Sequence, residues 1–194
     1  MKKQEFVDLF DQELASGAIL NQEYTGFKED YLILHCLLRK FKPKSVFEIG
    51  CNMGTGTQII KNAVGKDASV FSLDLPTELA HKSLQHPINE GKGDSVGHRC
   101  KLPFHLLRGD SMKFDYSQHA CEAYFVDGEH DYDHPYHETK EILKFNPKLI
   151  AWHDSDMEPV YKAIVDAFEI SPNGKNYDLF RITDTRIAYA VRKF

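Results

Sequence analysis

Short apolar runs alternate along the chain with longer stretches in which apolar residues recur at helical spacing. The short runs have the length and composition of buried strands, and the longer stretches have the three-to-four-residue period of amphipathic helices. The predicted strands are residues 45–49, 69–73, 104–107, 123–126 and 149–152. The predicted helices are residues 5–19, 30–41, 55–64, 133–145 and 160–168.

Two further apolar runs close the pattern, at residues 177–182 and 187–192, and they flank a polar turn. This arrangement predicts an antiparallel hairpin. Buried strands that alternate with helices predict a mostly parallel sheet covered on both faces. The expected fold is therefore a doubly wound, seven-stranded, Rossmann-like α/β sheet with a C-terminal antiparallel hairpin, preceded by N-terminal helices.

Composition is typical of one globular domain, which we expect to span residues 1–194. The chain is 42% hydrophobic and 27% charged, with a formal net charge of −5. Clustered Lys and Arg runs are absent, which disfavours nucleic acid as a partner. No apolar run approaches the ~20 residues that a membrane-spanning helix needs. No signal-peptide pattern follows the basic start, so the expected compartment is the cytoplasm.

One segment departs from the strand–helix rhythm. Residues 76–103 contain three histidines and three glycines with little periodicity. Long loops of this kind in compact domains are often functional lids. We expect this segment to form a lid on the substrate side.

The loop that follows the first predicted strand is rich in glycine. Residues 48–56 read E-I-G-C-N-M-G-T-G and lead directly into a predicted helix. Glycines permit a sharp turn and a close approach of ligand to backbone, and the unpaired N–H groups at a helix start suit a carboxylate or phosphate. The spacing of the three glycines differs from the G-x-G-x-x-G of dinucleotide-binding proteins.

This segment resembles the first motif of class I S-adenosylmethionine-dependent methyltransferases, E-x-G-x-x-x-G. The similarity extends from about residue 45 to the C-terminus. In that family the loop holds the amino-acid end of the cofactor, which implies cofactor contacts for Glu48, Gly50, Cys51, Asn52 and Gly54. Asn52 departs from the small residue that is usual at its position.

Two later strand ends carry acids that fit the same cofactor. The resemblance implies that Asp74, followed by Leu75, accepts hydrogen bonds from the ribose hydroxyls, although nicotinamide enzymes place an acid similarly. It implies adenine contacts for the turn Gly109-Asp110-Ser111. Asp110 could equally be a turn or helix-capping residue.

The fourth and fifth predicted strands end in polar residues that indicate chemistry. The run V-D-G-E-H-D-Y at 126–132 and the pair His153-Asp154 resemble motifs of macrolide-sugar O-methyltransferases and cephalosporin-hydroxylase-like proteins. The resemblance implies that Asp127, His153 and Asp154 bind Mg²⁺ or another divalent cation, and that His130 is the general base. Asp127 also lies near the cofactor.

Each of these residues has a simpler interpretation. Asp127 and Asp154 could cap the helices that follow them, and His153 could bond to backbone. A histidine ligand also makes a transition metal conceivable. The residues therefore leave metal dependence open.

The predicted function is S-adenosylmethionine-dependent O-methylation of a small polar molecule. The alternatives are a nicotinamide-dependent oxidoreductase and a non-catalytic domain that binds S-adenosylmethionine. The expected partner is a small-molecule acceptor, and the sequence is compatible with a homo-oligomer.

Overall fold

A mixed eight-stranded sheet forms the centre of the protein. The computed structural model describes residues 2–4, 12–16, 18, 28–80 and 95–193. The strands are β1 Lys2–Gln4, β2 Ser45–Ile49, β3 Ser69–Asp74, β4 His105–Arg108, β5 Ala123–Val126, β6 Leu149–Trp152, β7 Tyr177–Ile182 and β8 Ala188–Arg192. Their order across the sheet is β1-β7-β8-β6-β5-β2-β3-β4.

The helices lie between these strands in sequence. They are α1 Gln12–Ala15, α2 Lys28–Phe41, α3 Thr55–Val64, α4 Thr77–Ala80, α5 Asp133–Leu143 and α6 Glu158–Ile170. Single 3₁₀ turns occur at Tyr116–His119 and Gly174–Asn176. No helix among the described residues is long and apolar enough to cross a membrane.

Side chains alternate between two cores, one on each face of the sheet. Along β5, Ala123 and Phe125 pack with α2 and α3, whereas Tyr124 and Val126 pack with α5 and α6. Both faces are thus covered by helices, which explains why these strands are apolar throughout. The doubly wound architecture is confirmed.

Strand pairing is parallel through β4, β3, β2, β5 and β6, and β8 pairs antiparallel with both β6 and β7. The predicted seven strands and terminal hairpin are therefore present. The described residues add an eighth strand, β1, which pairs parallel with β7 at the edge. Its sequence, Lys-Lys-Gln, has no apolar alternation from which a strand could be predicted.

The predicted helices of the core agree with α2, α3, α5 and α6 to within about two residues at each end. The predicted helix at 5–19 is described only at α1, and its other residues lie almost entirely outside the described part. The predicted lid at 76–103 is described as α4 and as a turn at 96–99. Its residues 81–94 lie outside the described residues.

The chain reverses its winding direction between β2 and β5. From β2 it proceeds outward to β3 and β4, and then returns to place β5 on the other side of β2. In open α/β sheets, ligands bind in the crevice outside the carboxyl ends of the strands at such a point. The polar residues that follow β2, β5 and β6 meet there.

Candidate active site

The glycine loop after β2 is in contact with the end of β5. Gly50 has a φ of 94°, and a Cβ atom there would lie 2.0 Å from the carbonyl oxygen of Asp127. The Asp127 N–H in turn donates to the Ile49 carbonyl at 2.8 Å. Only glycine permits this approach, which joins the predicted cofactor loop to the predicted catalytic segment.

The turn at 96–99 packs against the same loop. Gly54, with a φ of 88°, lies so close to Gly97 that a Cβ atom would be 2.8 Å from the Gly97 Cα. The Gly97 N–H donates to the Asn52 carbonyl at 2.8 Å, and the Arg99 N–H donates to the Met53 carbonyl at 2.9 Å. The described end of the predicted lid is therefore bonded to the glycine loop.

Glu48 is fully buried beneath this loop. Its carboxylate accepts hydrogen bonds from the hydroxyls of Thr57, at 2.5 Å, and Ser72. Burial raises the pKa of Glu48 to about 8, although these two hydroxyls act in the opposite direction. Cys51 is also buried, with its sulfur 3.5 Å from the Thr57 hydroxyl. These contacts fix the start of α3 to β2 and β3.

Asp74 fixes the loop from the end of β3. One carboxylate oxygen accepts from the Asn52 N–H at 2.6 Å, and the other accepts from the Leu75 N–H at 2.7 Å. The structure thus places Asp74, Asn52 and Leu75 together, and their contacts with the cofactor stay predictions. Whether Asp74 also binds ribose hydroxyls stays a prediction.

The turn after β4 is held by its own side chains. Gly109 donates its N–H to the Asp74 carbonyl at 2.9 Å. The Asp110 carboxylate accepts from the Met112 N–H at 3.0 Å and lies 3.1 Å from the Lys113 ammonium. This geometry is what the turn-capping interpretation of Asp110 predicts. The turn continues into Ser111, whose carbonyl accepts from a tyrosine hydroxyl.

The three predicted metal ligands form one cluster. Asp127 follows β5 and the pair His153-Asp154 follows its neighbour β6, so parallel pairing brings them side by side. Each residue offers one ligand atom, and these atoms all lie within 4.8 Å of one another. His153 Nδ1 lies 2.9 Å from an Asp154 oxygen and 3.4 Å from an Asp127 oxygen.

A fourth acid, which the sequence analysis missed, faces the other nitrogen of His153. Asp30 belongs to α2 and is buried, and its carboxylate lies 3.2 Å from His153 Nε2. The ring of Tyr31 stacks on the imidazole at 6.0 Å between centroids. Asp30 shares the buried stripe of α2 with Ile33, Leu34, Leu37 and Leu38. The feature of the sequence that could have indicated this role is an acidic residue on the apolar stripe of a predicted helix.

Asp154 contacts three other charged or titratable side chains of the site. One of its oxygens accepts from Arg186 Nη1 at 2.9 Å, and the other faces both His153 and His130 Nε2, each at 2.9 Å. Its backbone has a φ of 52°, a left-handed conformation that aspartate tolerates better than most residues. Arg186, from the β7–β8 turn, was also missed by the sequence analysis.

Charges in the cluster shift one another's pKa values. Burial alone would lower the pKa of His153, but its bonds to Asp154 and Asp30 raise it to about 10. Burial opposes the shift of Asp154, yet His130 and His153 hold the pKa of that carboxyl well below its usual range. Burial raises the pKa of Asp127 to about 6. Without a metal ion, His153 is therefore a buried imidazolium among three acids.

His130 is the accessible member of the group. Its side chain is 38% exposed, whereas that of Asp154 is 6% exposed. The hydrogen bond that His130 Nε2–H donates to the Asp154 carboxylate raises the pKa of His130. Since Asp154 engages Nε2, the other ring nitrogen, Nδ1, is available to take a proton from a bound molecule.

A polar cavity of about 460 Å³ adjoins the cluster and shares Asp30 and Arg186 with it. The remaining described lining is also polar or charged. It consists of Glu29, Asp156, Arg181, Asp184 and Thr185. The lining side chains can therefore form hydrogen bonds with a polar occupant.

Solved structures that are similar to this chain include methyltransferases. The SAH-bound methyltransferase PaMTH1 of Podospora anserina is 15% identical and has a TM-score of 0.59, with 97% of this chain and 88% of that chain covered. The O-methyltransferase of Bacillus cereus in complex with SAH is 13% identical and has a TM-score of 0.59, with 97% and 90% covered.

A third structure agrees with these two. The O-methyltransferase TomG of Streptomyces achromogenes, involved in tomaymycin synthesis and solved with SAM, is 17% identical and has a TM-score of 0.53, with 95% of this chain and 91% of that chain covered. No protein-family model and no curated protein matches the sequence. The chain has the fold of class I S-adenosylmethionine-dependent methyltransferases.

Proposed function

We propose that this protein is an S-adenosylmethionine-dependent O-methyltransferase that acts on a small, hydroxyl-rich acceptor with the help of a divalent cation. One observation carries the proposal. Gly50, in the predicted cofactor loop, packs directly on Asp127, a member of the acid–histidine cluster. A methyl donor on the loop and a hydroxyl bound at the cluster would therefore be neighbours, as direct transfer requires.

The loop is suited to the amino-acid end of the donor. α3 begins after Gly54, an N-cap residue that has no side chain with which to cap the first N–H groups. A helix start of this kind favours a carboxylate. Asp74 and the turn at 109–111 lie beyond the loop along the strand ends, where the ribose and adenine would extend.

The proposed base is His130. With Nε2–H donating to Asp154, as in a histidine–aspartate catalytic pair, Nδ1 accepts the proton of the acceptor hydroxyl. The oxygen then attacks the methyl carbon of the sulfonium, and the C–S bond breaks to leave the neutral thioether. Asp154 stabilises the imidazolium that forms.

The cluster fits a divalent cation. In a metal-bound form, Asp127, Asp154 and neutral His153 would be the ligands, with the His153 Nε2–H donating to Asp30. Carboxylates commonly orient a ligating histidine in this way. When bound, the cation would orient the acceptor hydroxyl and lower its pKa. A histidine ligand favours a transition ion over Mg²⁺.

The adjoining cavity touches the cluster at Asp30 and Arg186, and not at Asp127 or His130, and its lining is the basis for the proposed acceptor class. Its described lining has four acids, two arginines and one threonine. Flat phenolic acceptors need apolar walls, and nucleotide-linked acceptors need a net positive lining. A neutral or cationic molecule with several hydroxyl groups fits better because these side chains both donate and accept hydrogen bonds.

Strand order argues against the nicotinamide alternative. The dinucleotide-binding fold is a parallel sheet whose sixth strand lies at the edge. Here β8 is antiparallel and lies between β6 and β7. This strand order therefore argues against a dehydrogenase, a class of protein that the glycine loop after β2 would by itself permit.

Transfer of a labelled methyl group tests the proposal. The protein is incubated with S-[methyl-³H]adenosylmethionine and a panel of sugars, polyols and catechols, with EDTA or with added Mn²⁺, Mg²⁺ or Zn²⁺. We expect labelled product only with a hydroxyl-rich acceptor, and faster with Mn²⁺ or Zn²⁺ than with EDTA. Equal rates with EDTA would reject the cation, and preference for catechols would reject the acceptor class.

A further inference from the structure

Glu138 is a buried acid outside the cluster, without a hydrogen-bond partner in the part of the chain described. It lies on the core-facing side of α5 and is 0% exposed. Neither of its carboxylate oxygens has a hydrogen bond of normal geometry, and the Ser111 side chain is near enough to lower the pKa of Glu138 as a hydrogen-bonding neighbour. A buried polar group in this state is costly and is normally satisfied by a ligand or an ordered water.

Its carboxyl group lies beside the turn that follows β5, one of the two strands between which the sheet reverses direction. Oε1 is 3.7 Å from the position that a Cβ atom would take on Gly128, directly after Asp127. Burial raises the pKa of Glu138 to about 7, and the nearby Ser111 side chain acts in the opposite direction. Glu138 thus adjoins two segments, one after β4 and one after β5.

Two of the three parts of the proposed cofactor already have an expected place in the protein, which leaves the third to be assigned. The amino-acid end belongs to the glycine loop, and the ribose hydroxyls belong near Asp74. The adenine edge remains, with the N6 amine as a donor and N1 as an adjacent acceptor. Asp110 can accept from the N6 amine, but its lowered pKa keeps it a carboxylate, which has no O–H group to donate to N1.

We propose that Glu138 reads the N6–N1 edge of the adenine of S-adenosylmethionine, an inference that rests on the proposed function. In its protonated form the carboxyl group has one acceptor oxygen and one O–H donor. The acceptor oxygen binds the N6 amine, and the O–H group binds N1. A 6-oxo purine reverses both roles, with an acceptor at position 6 and an N–H at position 1.

The test compares the affinity of the full chain for S-adenosylhomocysteine with that for S-inosylhomocysteine, its 6-oxo analogue, by calorimetry. We expect the wild-type protein to prefer the adenine ligand by about tenfold to a hundredfold or more, since a site that binds an N–H group rejects ligands that lack it. Glu138→Leu should lose this preference, whereas Glu138→Gln should retain it, because an amide also presents one acceptor and one donor.

Glu141→Leu, one turn further along α5 and paired with Lys144, is the matched control and should leave the preference unchanged. If Glu138 were only structural, Glu138→Leu would weaken both ligands equally and the ratio would stay constant, which overturns the inference. A wild-type ratio of the two affinities near one would also overturn the inference. Loss of the preference in Asp110→Asn, with the preference kept in Glu138→Leu, would overturn it as well. Should Glu138→Leu not fold, Glu138→Met carries the same expectation.

Failure of the two proposals can be told apart. If the wild-type protein binds neither ligand, the proposed function falls, and the assignment of Glu138 falls with it. If it binds S-adenosylhomocysteine tightly and Glu138→Leu keeps the preference, only the assignment of Glu138 is overturned.

Discussion

His130→Ala is expected to lower kcat for methyl transfer by about 10²–10⁴-fold, the usual contribution of a positioned general base. Affinity for S-adenosylhomocysteine should stay within about threefold of wild type, because the mutation leaves the cofactor loop intact. Single-turnover rates with the acceptor found in the transfer assay, together with calorimetric binding, measure the two effects separately.

The matched control is His134→Ala, in the first turn of α5. His134 pairs with Asp131 and not with His153 or Asp154, so His134→Ala should leave kcat close to that of the wild type. The wild-type rate should also rise with pH, because only neutral His130 accepts a proton. Since Asp154 raises the pKa of His130, the inflection in kcat/KM should lie above the ordinary value of about 6.5. A kcat within threefold of wild type in His130→Ala would remove His130 from the mechanism.

His153→Leu is expected to reduce the free energy of unfolding by about 3–5 kcal/mol in the metal-free protein near pH 7, the usual cost of unpairing buried charges. Leucine cannot neutralise the three acids Asp30, Asp127 and Asp154, which His153 contacts as an imidazolium. Urea denaturation in EDTA measures the difference. His105→Leu, on the exposed part of β4, is the control and should change stability by less than about 1 kcal/mol.

The sign of the pH dependence follows from the raised pKa. His153 has a pKa of about 10 in the folded protein, whereas an unfolded histidine has a pKa of about 6.5. Its contribution is therefore complete below about pH 6.5 and is lost as pH rises toward 10. The gap in stability between wild type and His153→Leu should narrow over that range. A difference in the free energy of unfolding that is small at pH 7, or constant up to pH 10, would contradict the assignment of His153 as an imidazolium.

The strand ends could be predicted from sequence because their signals are local. Each run of four or five apolar residues ends in a glycine or an acid, and parallel strands place their carboxyl ends along one edge. Asp127 and His153 therefore could be expected to meet, although 25 intervening residues separate them. Adjacent register of β5 and β6 confirms that they do.

The partners of the cluster could not be predicted because they depend on tertiary packing. Asp30 is 123 positions from His153, and its contact exists only because α2 packs across the sheet. Arg186 reaches Asp154 from a turn 32 positions away. Glu138 stands in a polar stretch of sequence, and only its spacing with Pro135, Ile142 and Leu143 indicates that it is buried.

Isothermal titration of the wild-type protein with S-adenosylmethionine tests the central claim most directly, with NADH as the comparison ligand. We predict saturable binding of S-adenosylmethionine at micromolar concentrations, with one site per chain, and no response to NADH. Absence of binding at millimolar S-adenosylmethionine, or saturable binding of NADH, would contradict the account.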